Sequence, residues 1–266
     1  MKIATYNINS VNARGANLCQ WLKNVQPDIV FLQEIKCETD KFLYFECESL
    51  GYKTIALGQK SYNGVAILSK YNFDVTSKNL PNFDDDAARY LEILVNDNGI
   101  CFYAISAYVP NGCSPDKRIE IEKLSYKLRW LEKFYERIVQ LKQTGIPVLI
   151  GGDFNVMMSD IDVFDESRFK NSPLYKKEVQ DKILALQYAG FYDAFRFLHP
   201  RDEGFTFWDY TANSFVTNSG LRIDYLFMTA QLAEKLKICE VDRTLRQMEK
   251  PSDHTALVAE IEDFDV

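Results

Sequence analysis

The chain of 266 residues has two histidines, and one of them, His254, follows Ser252 and Asp253 in "EKPSDHTALVAEI". Ser, Asp and His are the residue types of a hydrolase triad. A triad, however, needs a buried carboxylate on the far imidazole nitrogen and a nucleophile on the near one. Three consecutive residues entering a strand are poorly placed for both. Asp224 in "GLRIDYL" is the better candidate for the carboxylate behind His254, where it would favour the imidazolium. Glu34 in "FLQE" and Asp253 offer hard oxygen ligands suited to Mg²⁺ or Mn²⁺. Zinc is disfavoured, because the six cysteines are scattered and a single histidine is in play. Asp153 in "GGDFN" is placed to deprotonate or orient a water, and Asn155 to hold that water or a phosphate oxygen. A metal and an imidazolium together would offset the charge that builds on a phosphoryl oxygen. This equipment suits metal-assisted phosphodiester hydrolysis.

Each residue also has a plain structural reading. Asp and Asn after Gly-Gly often make a turn, Glu34 is a strand-end charge, and Asp224 could pair with Arg222. His199, before Pro200, reads as a loop residue without a role. The grouping becomes informative once the elements are placed. Short apolar runs predict strands at "KIATYNI", "DIVFLQE", "GVAILSK", "RYLEILV", "ICFYAISAYV", "IPVLIGGDF", "IDYLFM" and "TALVAEI". Three-to-four spacing predicts helices in "GANLCQWLKNV", "PDKRIEIEKLSYKLRWLEKFYERIVQLKQTG" and "KKEVQDKILALQYAG". Hairpins are expected at "NDNG" and around "KSYNG". Mixed sheets covered by helices follow from this order.

The polar residues fall at the ends of these runs. Asn7 and Asn9 close the first run, Glu34 the second, Tyr108 and Asn111 the run "ICFYAISAYV", and Asp153 and Asn155 close "PVLIGGDFN". Asp224 opens "IDYLFM", and Asp253 and His254 precede "TALVAEI". Side chains two apart on a strand share a face, so Asn7 with Asn9 and Asp153 with Asn155 form two directed pairs. Strand ends of one direction and starts of the other can then meet in one cleft.

Composition narrows the setting. The net charge of −7 argues weakly against a nucleic-acid partner but says little about a local face. Basic residues gather in "KLSYKLRWLEK" and "RFKNSPLYKK", and acidic ones in Asp84 to Asp86 and in "EIEDFDV". No long apolar run predicts a membrane span, and the N-terminus lacks the apolar core of a signal peptide. Dispersed thiols fit a reduced, cytoplasmic protein.

The segments "YNINSVNAR", "PDIVFLQEIK", "GQKSYNGVAILSK", "AYVPNG", "GGDFN", "FWDY", "GLRIDYL" and "EKPSDH" resemble, in order and over nearly the whole chain, the bacterial type of the exonuclease III family of apurinic/apyrimidinic (AP) endonucleases. "SDH" or "GDFN" alone would indicate only the broader endonuclease/exonuclease/phosphatase superfamily. "GQKSYNG" with "GLRID" and "EKPSDH" is specific to its DNA-repair branch. The resemblance implies one domain over residues 1–266, a four-layered α/β sandwich of the DNase I-like type with two mixed sheets flanked by helices. It implies a monomer that cuts duplex DNA on the 5′ side of an abasic site with Mg²⁺, Mn²⁺ substituting, and that also processes 3′ ends. Carried over, Glu34 is the principal metal ligand, with Asn7, Asn9 and Asp253 near the metal. Asp153 and Asn155 handle the water, while His254, supported by Asp224, contacts the scissile phosphate. Tyr108 contacts it too, with a phenolate as one form considered. Phe207, Trp208, Leu221 and Ile223 match an apolar pocket for the bare sugar, whose flipping costs less than that of a paired base. Tyr62, Asn63 and Arg89 match backbone contacts, which position DNA without reading sequence.

There are departures from the pattern. Asn9 stands where some members have a metal-ligating Asp, and Leu221 where certain members have Trp. "NGCSPDKRIEIEKLS" matches loosely, so no DNA-penetrating residue is carried over from it. Two rivals stay open: a superfamily phosphatase for phosphorylated small molecules or lipids, and a catalytically dead nucleic-acid-binding regulator. An apolar pocket argues against the first and the retained polar set against the second.

Overall fold

The computed structural model describes residues 1–262; the acidic run at the C-terminus therefore falls partly outside the described residues. In chain order the strands are β1 (Lys2–Asn7), β2 (Ile29–Gln33), β3 (Lys53–Leu57), β4 (Val65–Ser69), β5 (Phe73–Ser77) and β6 (Tyr90–Asp97). They continue as β7 (Ile100–Tyr108), β8 (Val148–Asp153), β9 (Phe191–Asp193), β10 (Asp224–Thr229), β11 (Leu236–Asp242) and β12 (Ala256–Ile261). The helices are α1 (Val11–Val25), α2 (Tyr44–Ser49), α3 (Lys117–Gln143), α4 (Glu166–Phe169), α5 (Lys177–Tyr188), α6 (Ala194–Leu198) and α7 (Ala230–Ala233).

The strands form two six-stranded sheets, ordered β11-β12-β1-β2-β4-β3 and β5-β6-β7-β8-β10-β9. Each sheet has one parallel pair at its centre, β1 with β2 and β7 with β8, and antiparallel neighbours elsewhere. Each parallel pair is joined by a long helix, α1 or α3, as parallel strands require a crossover. The two sheets are thus built on the same plan, position for position, although no short sequence repeat reveals it.

Alternation along the central strands divides the apolar residues between layers. Ile3, Phe31, Ile67, Leu91, Ile93, Leu149, Leu226 and Leu257 fill the space between the sheets. Ala4, Tyr6, Val30, Leu32 and Leu68 face outward and pack with Leu18, Trp21 and Leu22 of α1. On the other side Ile105, Ile150, Tyr225 and Phe227 pack under Trp130, Leu131, Phe134 and Ile138 of α3 and Ile183 of α5. The result is the four-layered α/β sandwich expected. The period of two on the strands and of 3.6 on the helices is what sorts these residues.

The eight expected strands are present, and the four further ones are β3, β5, β9 and β11. These are the four edges of the two sheets. Edge strands face water on one face and along one side, so they lack a continuous apolar run; β5, for example, buries none of its residues fully.

Candidate active site

The C-terminal ends of both parallel pairs meet at one end of the sandwich, as do the starts of β4, β10 and β12. In the second sheet Tyr108 lies in register with Asp153, and Asp153 with Asp224, so three polar side chains stand abreast. The sheets approach closely here because of Gly151: a Cβ on it would stand 2.1 Å from Cδ2 of Phe31 on β2. A Cβ on Gly152 would likewise collide with the Ala107 carbonyl oxygen. The Gly-Gly of "GGDFN" therefore lies within the strand and sets the sheet spacing, and the turn comes after it.

That turn occurs twice. The Asn155 N–H donates to Asp153 Oδ1 at 2.9 Å, and the Asn9 N–H donates to Asn7 Oδ1 at 3.1 Å. Both Asn9 (φ 47°) and Asn155 (φ 51°) are left-handed, a conformation that asparagine tolerates better than most residues. Each central strand thus ends in the same side-chain-to-backbone turn. Because Asn9 and Asn155 lie beyond the strands, these turns, rather than strand alternation, direct their side chains. Glu34 is also left-handed (φ 49°), which is uncommon for glutamate and marks a strained position. Its backbone is held by the Ser10 N–H on its carbonyl at 2.7 Å.

Asn7 joins the two sheets. Its Nδ2 donates to Glu34 Oε1 and to Asp153 Oδ2, both at 2.9 Å. Across from it, His254 Nδ1 lies 2.8 Å from Asp224 Oδ2, and its Nε2 lies 3.8 Å from Asp153 Oδ2. Thr206 Oγ1 donates to the same Asp224 oxygen at 2.6 Å, while the other, Oδ1, is buried with no partner. Asp253 sits to one side, where its Oδ1 accepts from Asn9 Nδ2 at 2.9 Å.

Charge in this cluster is unbalanced. Burial, with Asp224 and Glu34 adding to it against the pull of His254, pushes Asp153 up to about 7. For His254 burial opposes the cation, but Asp224, through charge and hydrogen bond, outweighs it and raises the imidazole to about 10. Burial would raise Glu34 as well, yet the Asn7 and Lys36 hydrogen bonds bring it below its ordinary value. Tyr108 is held well above the usual phenol range by burial and by Glu34 and Asp153. Burial and the two carboxylates therefore favour the phenol over the phenolate considered from the resemblance.

Ligand atoms of Glu34, Asp153 and His254 lie within 4.8 Å of one another; as an imidazolium His254 does not ligate, so an ion here would rest on the carboxylates. Two of these donors are carboxylates, and the orphaned oxygen of Asp224 adds to a local excess of negative charge. Such a set fits a hard divalent cation. Asp253, expected beside the metal, stands outside this convergence and reaches the site through Asn9.

The model of the endonuclease/exonuclease/phosphatase family matches residues 4–254. The chain belongs to this family. It is 33% identical to the exodeoxyribonuclease III of Haemophilus influenzae, covering 98% of this chain and 99% of that one. Among solved structures it resembles an AP endonuclease from Archaeoglobus fulgidus, with 34% identity, a TM-score of 0.90 and coverage of 99% of this chain and 100% of that one. It equally resembles a 3′ phosphatase from Neisseria bound to a product DNA hairpin, at 32% identity, a TM-score of 0.90 and the same coverage.

In this endonuclease/exonuclease/phosphatase chain, the residues expected around the site fall into three groups. Asn7, Glu34, Asp153, Asp224 and His254 are in direct contact or connected through one another, and Asn155 and Asn9 are tied to them through the two turns. On the rim, Tyr62 is 71% exposed, Asn63 Nδ2 donates to Gln59 at 3.1 Å, and the Arg89 guanidinium stacks 4.7 Å from the Tyr108 ring. Phe207 packs edge-on to the His254 imidazole at 4.9 Å and bridges to Leu221. With Met157, Val163, Leu174 and Ile223 these form a small apolar cluster beside the site. Trp208 is a correction: it is fully buried, packed against Phe215 and covered by Arg243. Its indole Nε1 donates to Asn218 Oδ1 at 3.3 Å, and it stands outside the apolar cluster of Phe207 and Leu221.

Three contributors escaped the sequence reading. Lys36 lies 2.7 Å from Glu34 Oε2 and donates to Asn9 Oδ1 at 2.6 Å. Thr206 buttresses Asp224. Ser252, set aside with the triad, is fully buried; its hydroxyl donates to the Asn7 carbonyl at 2.8 Å and accepts from the His254 N–H at 3.2 Å. Lys36 stands two residues after Glu34 in "QEIK", a local signal that was available; Thr206 and Ser252 carry none. His199 stands at the end of α6, 3.2 Å from Asp202.

Proposed function

We propose that the protein is a DNA repair nuclease that hydrolyses the phosphodiester on the 5′ side of an abasic site in duplex DNA, with further activity at 3′ ends. The reading is carried by one observation: Asn7 donates to both Glu34 and Asp153, with the His254–Asp224 pair opposite. A metal ligand, a proton acceptor and a cation are thereby fixed around one point. The relatives named above act on DNA, as their names state, and support the choice of substrate.

Asp153 takes the proton of the attacking water; a carboxylate raised to about 7 is matched to that task near neutrality. The Asn155 N–H fixes the orientation of this carboxylate. His254 stays cationic because Asp224 lies behind it, and it donates a hydrogen bond to a non-bridging phosphate oxygen. Glu34 would hold the divalent cation, Mg²⁺ or in its place Mn²⁺, with Asn7 beside it and Asp253 linked to it through Asn9. When bound, that ion supplies Lewis-acid neutralisation of charge on the phosphate. Tyr108, as a phenol, donates to the same phosphate. Phe207, Leu221 and Ile223 offer the apolar wall against which a sugar without its base fits. Tyr62, Asn63 and Arg89 line the rim along which the backbone runs. Among the described residues no helix is long and apolar enough to cross a membrane. We take the protein to act as a monomer of one domain in the cytoplasm.

The test is incision of a duplex carrying a single abasic analogue, with Mg²⁺ or with EDTA, beside an intact and a 3′-recessed duplex. Incision 5′ to the lesion with Mg²⁺ and none with EDTA is expected. No incision with Mg²⁺, or undiminished cutting by Asp153→Asn or His254→Asn, would overturn the proposal.

A further inference from the structure

Lys127, in the first half of α3, is fully buried. Its Nζ donates to three backbone carbonyls: Asn155 at 2.6 Å, Asn111 at 3.1 Å and Pro173 at 3.3 Å. These carbonyls belong to three separate segments, the loop after β7, the turn after β8 and the stretch that leads into α5. An ammonium has three N–H bonds, so all of its donors are used. Burial draws its pKa down to about 7, against the pull of Cys113 and Asp153, and the carbonyls hold the cation in place of a counter-charge. The packing around the side chain is tight. Gly112 is left-handed (φ +85°), and a Cβ there would stand 3.2 Å from Lys127 Cδ and 3.0 Å from Pro173.

What the three carbonyls have in common is Asn155. Asn111 Nδ2 donates to Asn155 Oδ1 at 3.0 Å, and Asn155 Nδ2 donates to the Val109 carbonyl at 3.0 Å. The Asn155 N–H holds Asp153 Oδ1 at 2.9 Å. In the next stretch, the Met157 N–H donates to the Leu174 carbonyl at 2.8 Å, joining the turn after β8 to the segment of Pro173. The ammonium thus fixes the carbonyl of Asn155, the residue whose own N–H and side chain set a candidate catalytic carboxylate and amide. We propose that Lys127 is a positioning residue for this reaction: by clamping three loops from beneath, it holds Asn155 in its left-handed turn and, through it, orients Asp153. Lys127 touches neither substrate nor reacting atoms. The inference rests on the reading of Asp153 as the base.

The test measures kcat and KM on the abasic duplex for wild type, Lys127→Met, Asn155→Ala and the double variant, in single turnover where rates are low. Lys127→Met keeps the length of the side chain and loses its donors. A misplacement of about 1 Å can cost on the order of 10²-fold in rate, so kcat should fall roughly 10- to 100-fold with KM changed less than about threefold. The double variant should cut no more slowly than Asn155→Ala alone, because the two residues act as one unit. A kcat for Lys127→Met within about twofold of wild type, or losses that multiply in the double variant, would overturn the proposal. If Lys127→Met fails to fold by thermal melt, Lys127→Arg decides: its displaced donors should give an intermediate kcat at unchanged KM, and a wild-type kcat would refute the clamp. Failure of the underlying reading is separately visible, since wild type would then not incise, or Asp153→Asn would.

Discussion

Arg222 and Asp224 stand two residues apart in "LRID", yet their side chains enter two buried charge clusters of opposite character. Arg222 Nε lies 2.7 Å from Asp162, its Nη1 lies 2.7 Å from Asp193, and Arg196 adds a third contact of 2.7 Å to Asp162. Asp162 Oδ2 accepts the N–H groups of Met158 and Ser159, and Asp193 Oδ1 caps α6 through the Arg196 N–H. Two cations meet two anions, and the carboxylate oxygens are occupied. Asp162 accordingly stays below its ordinary range: burial would raise it, but Arg222 and Arg196 more than compensate. Around Asp224 the count does not close. Glu34, Asp153 and Asp224 face His254 and the flanking Lys36, one oxygen has no partner, and Asp153 is driven up. Both clusters are buried, so burial does not separate a site from a scaffold. What separates them is whether each charge already has its complement. The first cluster is complete as folded, and the second is completed by something that binds.

The largest effect should come from Asp153→Asn. Removing the proton acceptor should lower kcat on the order of 10³-fold, while the metal-free protein melts at the same temperature or higher because an uncompensated charge is gone. A lower melting temperature with normal incision would place Asp153 with the scaffold. The reverse pattern is expected of Arg222→Met, which strands Asp193 without its cation and leaves Asp162 with Arg196 alone. Breaking a buried pair from one side costs about 3–5 kcal/mol, readable in urea unfolding, and kcat of the folded fraction should stay within about threefold of wild type. A variant of normal stability that has lost activity would break the comparison.

How much of this was legible in the sequence follows from the same physics. The eight central strands are apolar on both faces and announce themselves; β3, β5, β9 and β11 are edges and do not. The polar residues at run ends pointed to the site because a charge or amide next to a buried run needs a partner. Their connections were less legible. Arg222 pairs with Asp162 and Asp193, far along the chain, and not with nearby Asp224, a choice set by sheet register. Trp208 was misplaced because a motif gives residue types and not the side of the chain on which each points. Lys127 lies on a helix face whose period marks it as core, a signal easily overlooked for a lysine.

Metal binding should sharpen the contrast. Mg²⁺ at about a hundredfold its Kd should stabilise the fold by about 2.7 kcal/mol, and Glu34→Gln should abolish that shift. Arg222→Met, though less stable, should keep it. EDTA should remove activity and leave the far-ultraviolet circular dichroism unchanged, since both sheets are held by their own cores. A shift that survives Glu34→Gln would move the ion elsewhere.

The smallest effect concerns pH, and here the two clusters differ in sign. Asp153 rises from 3.8 to about 7 and His254 from 6.5 to about 10 on folding. Each folded value lies above the unfolded one, so the folded protein binds more protons. The stability they contribute is fully present below the unfolded value and is lost as pH rises through the folded one, Asp153 first and His254 at more alkaline pH. Asp162 is depressed instead. Its contribution is present above about 3.9 and is lost as pH falls through its folded value. Urea unfolding of the metal-free protein should therefore show stability falling as pH rises from 5 to 7, with a slope of at most about one proton, and levelling between pH 7 and 9, where buried Lys127, drawn down to about 7, offsets His254. Asp153→Asn should flatten the acidic part of that slope, and His254→Asn should make stability rise with pH above 7, where Lys127 then acts alone. Arg222→Met should shift the whole curve down, because it breaks a buried ion pair from one side. A slope unchanged by both site variants would mean that the charge in the cluster around Asp224 is already balanced in the fold, and the distinction drawn between the two clusters would fail.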